Sequence, residues 1–174
     1  MKAAVLQEFG SILSVEIVPD PVLGTGEVIV DVVAAPVLPY AKEVFSGERR
    51  YLLTLPAVPG CGAVGRVRAV GPDATQLAVG DWVLCDPTVR SRDNVVNPDI
   101  TLQGWSARDQ GGVRLQRYFH DGPFAEQIEF RPRMLSALVL SRRARPRNGV
   151  RSSPFWCRTV VYSQPNCRPE RRFL

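Results

Sequence analysis

The first 130 residues alternate short apolar runs with glycine and proline turns, a pattern typical of β-strands. Strands are predicted at 3–5, 12–18, 27–37, 63–70, 79–85 and 123–130. In AVGRVRAV (63–70) the alternation places Arg66 and Arg68 on one face. One or two helical turns are expected at 40–45, and a long polar loop or lobe at 86–121. This arrangement predicts a mainly β barrel or sandwich with short helices and an irregular C-terminal tail.

Charge divides the chain into two unequal parts. Residues 1–130 contain 11 Lys and Arg against 16 Asp and Glu, whereas residues 131–174 contain 11 Arg against one acid, Glu170. A basic tail of this kind can bind nucleic acid or an anionic surface. Such an arm usually carries Lys as well as Arg, but this tail has no Lys and mixes its arginines with Cys, Trp and Phe. We therefore expect no nucleic-acid partner.

Several cofactor and membrane signals are weak or missing. Gly60, Gly62 and Gly65 have the glycine spacing of a dinucleotide fingerprint, but a strand-like run follows them where the fingerprint requires a helix. The four cysteines form no C-x-x-C pair and are expected to be reduced. No run approaches the roughly 18 apolar residues of a membrane span, and no signal peptide is evident at the start. The expected location is the cytoplasm, with no membrane partner.

Four motifs in order resemble those of the medium-chain dehydrogenase/reductase family. They are GTGEVIV (24–30), LPAVPGCGAVGRVRAVG (55–71), VGDWV (79–83) and DGPFAEQ (121–127). The resemblance covers about 130 residues and implies a GroES-like, partly open β-barrel, the N-terminal catalytic domain of that family. It implies domain bounds of 1–132 for the barrel and 133–174 for the tail, with the family's Rossmann cofactor domain absent.

The zinc branch of this family can be compared residue by residue. Its Cys-His pair matches Leu38 and Pro39, and its later His-Glu pair matches Cys61 and Gly62. Leucine and proline cannot bind zinc, and residues 86–120 lack the cysteines of the branch's structural site. We therefore expect no zinc and no other metal. Phe45-Ser46-Gly47 fits the zinc-free branch, which is similar to quinone oxidoreductases, although Leu38 and Glu43 depart from that branch's Asn and Tyr.

The resemblance implies hydride transfer from NADP(H) to a carbonyl, enone or quinone in the full-length family. Tyr40 is the candidate catalytic residue, because its hydroxyl could polarise a carbonyl or deliver a proton. Leu38, Pro39 and Cys61 are the candidate substrate-cleft residues. No residue is assigned to cofactor binding. His120 is expected to be a solvated loop residue, and contacts of Trp105 and Arg108 with substrate or a partner subunit are left open.

The tail (133–174) contains the pattern expected of a frameshift. When the last base of each codon is joined to the first two of the next, Phe155–Trp156 forces Leu and Trp156–Cys157 forces Val. Permitted codons elsewhere give WCALFALLVPYGGLLTAKLPAGATVL, which is similar to the apolar helix and strand leading into the family's cofactor domain. Two functions therefore stay open. One is a truncated oxidoreductase that is inactive alone and binds no cofactor; the other is a binding or assembly module that forms homo-oligomers.

Overall fold

A computed structural model describes residues 1–72, 76–92 and 95–130, together with the backbone of 135–137. The predictions for the arginine-rich tail beyond residue 137 lie outside these described residues. The described strands are β1 Lys2–Val5, β2 Ser14–Ile17, β3 Val28–Ala34, β4 Ala63–Val70, β5 Trp82–Cys85, β6 Thr88–Arg90, β7 Ile100–Leu102, β8 Ser106–Ala107, β9 Gln127–Phe130 and β10 Leu135–Ala137. The two helices are short: α1 spans Ala41–Phe45 and α2 spans Gln110–Leu115.

An antiparallel five-stranded sheet, in the order β10-β5-β4-β3-β9, forms the body of the fold. Its inward side chains make the main core, which includes Val28, Val30, Val67, Val83 and Phe130. In β4, β5 and β9 the buried positions alternate with more accessible ones, as a sheet with one buried face requires. Strand β3 differs, because Val28, Ile29 and Val30 are buried in succession. In the described residues β9 and β10 stay at opposite edges of the sheet, so the barrel is open, as expected for this fold class.

Two smaller sheets flank the body. The hairpin of β1 and β2 joins it through bridges from Ala3 to Ala125 and from Leu6 to Ala57. The three-stranded sheet in the order β6-β7-β8 packs with α2 and joins the rest through a bridge from Leu52 to Ala107. The segment 86–121 is therefore a structured lobe with its own sheet and helix.

Polar side chains inside this lobe explain why its sequence does not show a strand pattern. Gln116 is fully buried, and its amide oxygen accepts from the backbone N–H and the hydroxyl of Thr54 at 3.0 and 2.9 Å. Its amide nitrogen donates to the Leu52 carbonyl at 2.8 Å and to the Thr101 hydroxyl at 3.3 Å. A glutamine whose donors and acceptors are all used can occupy a core position at little cost.

Three glycines bring the lobe and the body into direct backbone contact. The Gly60 N–H donates to the Gly104 carbonyl at 3.0 Å, and the Gly104 N–H donates to the His120 carbonyl at 3.1 Å. A Cβ atom on Gly104 would lie 2.2 Å from the Cα of Gly122, and Gly104 has a φ of +68°. Only glycine permits this approach and this backbone conformation. The junction places Cys61, which follows Gly60, beside the lobe.

Most strands lie where the sequence predicts them. Strand β4 has the predicted bounds 63–70, and Arg66 and Arg68 are both exposed. The predicted run at 27–37 ends earlier, at Ala34, and the run at 79–85 begins later, at Trp82, after a turn at Gly80 and Asp81. Neither helix in the described part of the chain has the length and apolar character that crossing a membrane requires.

Candidate functional site

Two separate segments supply the predicted cleft residues. Leu38 and Tyr40 lie in the connection between β3 and α1, and Cys61 lies just before β4. All three are half-buried and pack against one cluster, centred on Trp105 of the lobe with Ala41 and Val44 of α1. We call this group the Trp105 cluster; its further members are Phe45, Tyr51 and Leu102. Pro39 is exposed beside Tyr40.

Aromatic rings surround the indole of Trp105 edge-on. The centroid of its ring lies 6.2 Å from that of Tyr40, 5.8 Å from that of Phe45 and 6.5 Å from that of Tyr51. The interplanar angles are 66°, 74° and 74°, in the range that aromatic pairs prefer. The rings therefore hold one another in fixed orientations, and Tyr40 is a member of a rigid aromatic wall.

Tyr40 keeps its proton at neutral pH. Desolvation raises its pKa above the ordinary value of a tyrosine, and nearby Tyr51 and Cys61 raise it further, against the opposing charge of Arg49. The guanidinium carbon of Arg49 lies 4.4 Å from the centre of the Tyr40 ring. Arg49 is itself held by Glu43 of α1, with 2.6 Å between Nε and Oε2. A hydrogen bond with the Tyr51 side chain also raises this pKa, so the Tyr40 hydroxyl is protonated and lies in contact with Tyr51.

Cys61 is a neutral thiol beside this wall. Burial raises its pKa above that of a free cysteine, and the nearby carboxylate of Asp86 raises it further. A thiol in this state is a poor nucleophile and a poor metal ligand, because both roles need the thiolate. Its role at this position is that of a small, partly apolar side chain.

Trp105 is the residue whose place the sequence does not reveal. It is 2% exposed and lies in the short connection between β7 and β8. Its backbone N–H donates to the Leu102 carbonyl at 2.9 Å, which closes the turn. Arg108, whose contacts the sequence also leaves open, is exposed and forms an ion pair with Asp109 at 3.5 Å. A tryptophan in a polar segment is the one signal that points to buried structure there.

His120 differs from the solvated loop residue that the sequence predicts. Its Nδ1 lies 2.9 Å from the Asp121 carboxylate, and its Nε2 lies 3.0 Å from the Thr54 carbonyl oxygen. The Asp121 carboxylate also accepts from the Val58 N–H at 3.0 Å. The hydrogen bond to Asp121 raises the pKa of His120, although burial opposes it. His120 therefore fastens the lobe to the body, and it is not a member of the Trp105 cluster.

The described residues offer no ready metal site. No group of three or more His, Cys, Asp or Glu residues in them is arranged to hold a metal ion. Where the zinc branch has ligands, this chain has Leu38, Pro39, Cys61 and Gly62. The donor set present, one protonated thiol, does not fit catalytic zinc. The glycines at 60, 62 and 65 lead into strand β4, so no helix N-terminus is formed there to bind a phosphate.

An open β-barrel with short helices and the Trp105 cluster defines the fold class of this chain. The family "Alcohol dehydrogenase GroES-like domain" matches residues 24–138, more than half of the chain, and the chain belongs to that family. The match includes β10, which lies beyond the boundary predicted at residue 132.

Individual relatives agree with this family. An alcohol dehydrogenase of Moraxella sp. (strain TAE123) is 39% identical over 83 residues, which cover 48% of this chain and 25% of that protein. One from Rhizobium meliloti (strain 1021) is 32% identical over 126 residues, covering 72% of this chain and 36% of that protein. The crystal structure of the alcohol dehydrogenase from Aeropyrum pernix is 25% identical, with a TM-score of 0.65, over 79% of this chain and 40% of that one. The chain thus spans between a quarter and two fifths of these relatives.

Proposed function

We propose that this chain is the substrate-binding domain of a zinc-independent, NADP(H)-dependent oxidoreductase of the alcohol dehydrogenase or quinone oxidoreductase type. Its substrate would be a small molecule with a carbonyl, enone or quinone group, to which hydride is transferred. One observation carries the proposal. Leu38, Tyr40 and Cys61, predicted as cleft residues from the sequence, meet at the Trp105 cluster in a domain of the alcohol dehydrogenase family.

Each residue of the cleft has a simple role in this proposal. The protonated hydroxyl of Tyr40 donates a hydrogen bond, and then its proton, to the substrate oxygen. Leu38 and Cys61 supply apolar walls that orient the substrate and exclude water. Pro39, exposed next to Tyr40, lies at the rim.

The donor set supports the proposed zinc independence. A catalytic zinc needs three protein ligands, and the positions that match the family's ligands hold one usable atom, the thiol of Cys61, whose pKa is raised. Polarisation of the substrate oxygen is therefore assigned to hydrogen-bond donors of the chain.

NADP(H) would supply the hydride when bound, and it would be held by residues other than the described ones. The only glycines here with fingerprint spacing precede strand β4 and not a helix. We therefore expect the chain alone to be inactive and to leave the fluorescence of added NADPH unchanged.

Quinone binding by the full chain tests the proposal. Duroquinone, whose ring positions are all substituted, should bind and raise the melting temperature, since the cleft wall is present without the nucleotide. Tyr40→Phe should weaken this binding about three- to tenfold, because one neutral hydrogen bond is lost while the ring contact with Trp105 is kept.

The matched control is Tyr118→Phe, which removes the same hydroxyl from a residue that contacts Glu27 and not the Trp105 cluster. Its quinone affinity should equal that of the wild type. Absence of quinone binding, or an equal loss in both variants, would contradict the proposed cleft.

The alternative, a binding or assembly module with a basic tail, is favoured by the exposed apolar side chains of the β1–β2 region. Val15 and Ile17 of β2 are 76% and 77% exposed, and Ile12 is 91% exposed. Such a surface is typical of an interface. Sedimentation velocity distinguishes the two functions: one defined ring-sized oligomer without quinone binding would support the module, and quinone binding at any oligomeric state would support the oxidoreductase.

A further inference from the structure

Trp105 has a buried hydrogen-bond donor that the fold does not use. The indole Nε1 is shielded from solvent and has no hydrogen-bond partner among the described residues. Buried indole N–H groups usually find a partner, because a donor that loses water without compensation is destabilising. The rest of the Trp105 side chain is well packed, with edge-on contacts to three aromatic rings.

The same lobe satisfies its other buried polar groups much more fully. All four hydrogen bonds of Gln116 are made within the protein. Gln103 has one unpartnered oxygen, but its amide nitrogen donates to the carbonyls of Asp121 and Glu129 at 2.9 and 3.0 Å. In Trp105 the single polar atom of the side chain is the unpartnered one.

The position of Trp105 indicates what its N–H is for. The indole lies at the centre of the cluster that contains Tyr40, Leu38 and Cys61, the residues of the proposed cleft. An indole N–H can donate but not accept, so its partner must carry an acceptor atom. The members of the cluster are apolar or neutral, and Arg49, which lies over the Tyr40 ring, is already paired with Glu43. A neutral carbonyl oxygen therefore fits better than a carboxylate.

We propose that Trp105 is a specificity-determining residue whose indole N–H donates a hydrogen bond to the carbonyl oxygen of the substrate. The inference rests on the proposed function and adds a second donor to the hydroxyl of Tyr40. A second donor at the substrate oxygen would stabilise the negative charge that develops there when hydride adds to the substrate. The substrate class is therefore a neutral, apolar ketone or enone, and a hydrocarbon of the same shape is not selected.

The test compares two ligands that differ at the oxygen. Benzalacetone is a neutral aromatic enone, and β-methylstyrene has the same aromatic and alkene groups without the carbonyl. The full chain, labelled with 15N-tryptophan, is titrated with each compound while its indole N–H signals are followed by NMR. Trp105→Phe assigns the Trp105 signal, and Trp82→Phe is the matched control, since Trp82 lies in β5 under Arg66 and outside the cluster.

Benzalacetone should move the Trp105 indole signal downfield, and β-methylstyrene should leave its position almost unchanged. Trp105→Phe should weaken benzalacetone binding about three- to tenfold and leave β-methylstyrene binding unchanged. Trp82→Phe should leave the binding of both compounds unchanged. The wild-type titration gives an answer even if Trp105→Phe does not fold.

Two results would overturn the inference, and they are distinguishable. If benzalacetone binds, with Tyr40→Phe weakening it, but the Trp105 signal does not move, the N–H is satisfied inside the aromatic cluster and the proposed function survives. If neither benzalacetone nor duroquinone binds the full chain, the cleft itself is wrong, and both proposals fail together.

Discussion

At the scale of single residues, the pair of His120 and Asp121 is the part of the described structure that responds to pH near neutrality. The pKa of His120 is raised, mainly by its hydrogen bond to Asp121, so the folded protein binds the proton more tightly than the unfolded chain does. The stabilisation is therefore fully present below the unfolded pKa of about 6.5 and is lost as pH rises through the higher, folded pKa. The free energy of unfolding should fall from pH 5.5 to pH 8.

Urea denaturation across this pH range measures the effect, and His120→Gln is the comparison. His120 is the only histidine in the chain, so the variant removes the imidazole titration entirely. The Met1 ammonium, which contacts Asp20 at 2.6 Å, stays in both proteins and cancels in the difference. An unchanged pH slope in the variant would show that the pair contributes no pH-dependent stability.

Residue roles could be predicted from the sequence only in part. The sequence predicts Leu38, Tyr40 and Cys61 as site residues; the three lie in one cluster, and their roles in a cleft stay predictions. The bonds of His120 could not be anticipated, because its partner Thr54 is 66 residues away along the chain. For Trp105 the sequence leaves contacts with substrate or a partner subunit open, because its place at the cluster centre depends on α1 and on the preceding connection folding against it.

At the scale of elements, the junction of Gly60, Gly104 and Gly122 joins the lobe to the body. Gly104→Ala should destabilise the protein strongly, because its Cβ would lie 2.2 Å from the Gly122 Cα and neither backbone can move away easily. We expect the free energy of unfolding to fall by about 2 kcal/mol or more beyond the cost of the backbone conformation alone. Urea denaturation gives the value.

Gly80→Ala separates the two contributions. Gly80 also has a positive φ, +93°, but nothing lies within 4 Å of the Cβ position. In that variant the free energy of unfolding should fall only by the cost of the backbone conformation, about 1–2 kcal/mol. Equal losses in the two variants would mean that close approach at the junction contributes nothing.

The predictability of the elements follows from their length and pattern. Strand β4 has eight residues with clear alternation, and its bounds were predicted without error. Strands β6, β7 and β8 have three, three and two residues, too few for a periodic signal. Two polar residues are buried here, Thr101 in β7 and Gln103 in the connection that follows it. The lobe therefore resembles a polar loop in sequence although it carries a sheet.

At the scale of the whole molecule, exposed apolar side chains on β2 and in the segment before it favour self-association. The double variant Val15→Thr, Ile17→Thr keeps β-branched residues in the strand while making the surface more polar. It should bind less of a hydrophobic dye and sediment as a smaller species at high protein concentration.

A wild-type chain that stays monomeric at high concentration and binds no dye would contradict this prediction. The matched control is Val79→Thr, since Val79 is also exposed, at 66%, but lies before β5 and away from the hairpin. It should leave dye binding and sedimentation unchanged.

The central proposal is that this chain provides the substrate side of a hydride-transfer site, and the tail sequence predicts that the nucleotide side is encoded in a shifted reading frame. The DNA sequence from codon 125 to several hundred bases past codon 174 tests it most directly. The account predicts that the shifted frame is open through the tail and soon encodes a strand, a Gly-x-Gly-x-x-Gly turn and a helix. A shifted frame that closes within the tail would contradict the account and leave the arginine-rich segment as a genuine part of a binding module.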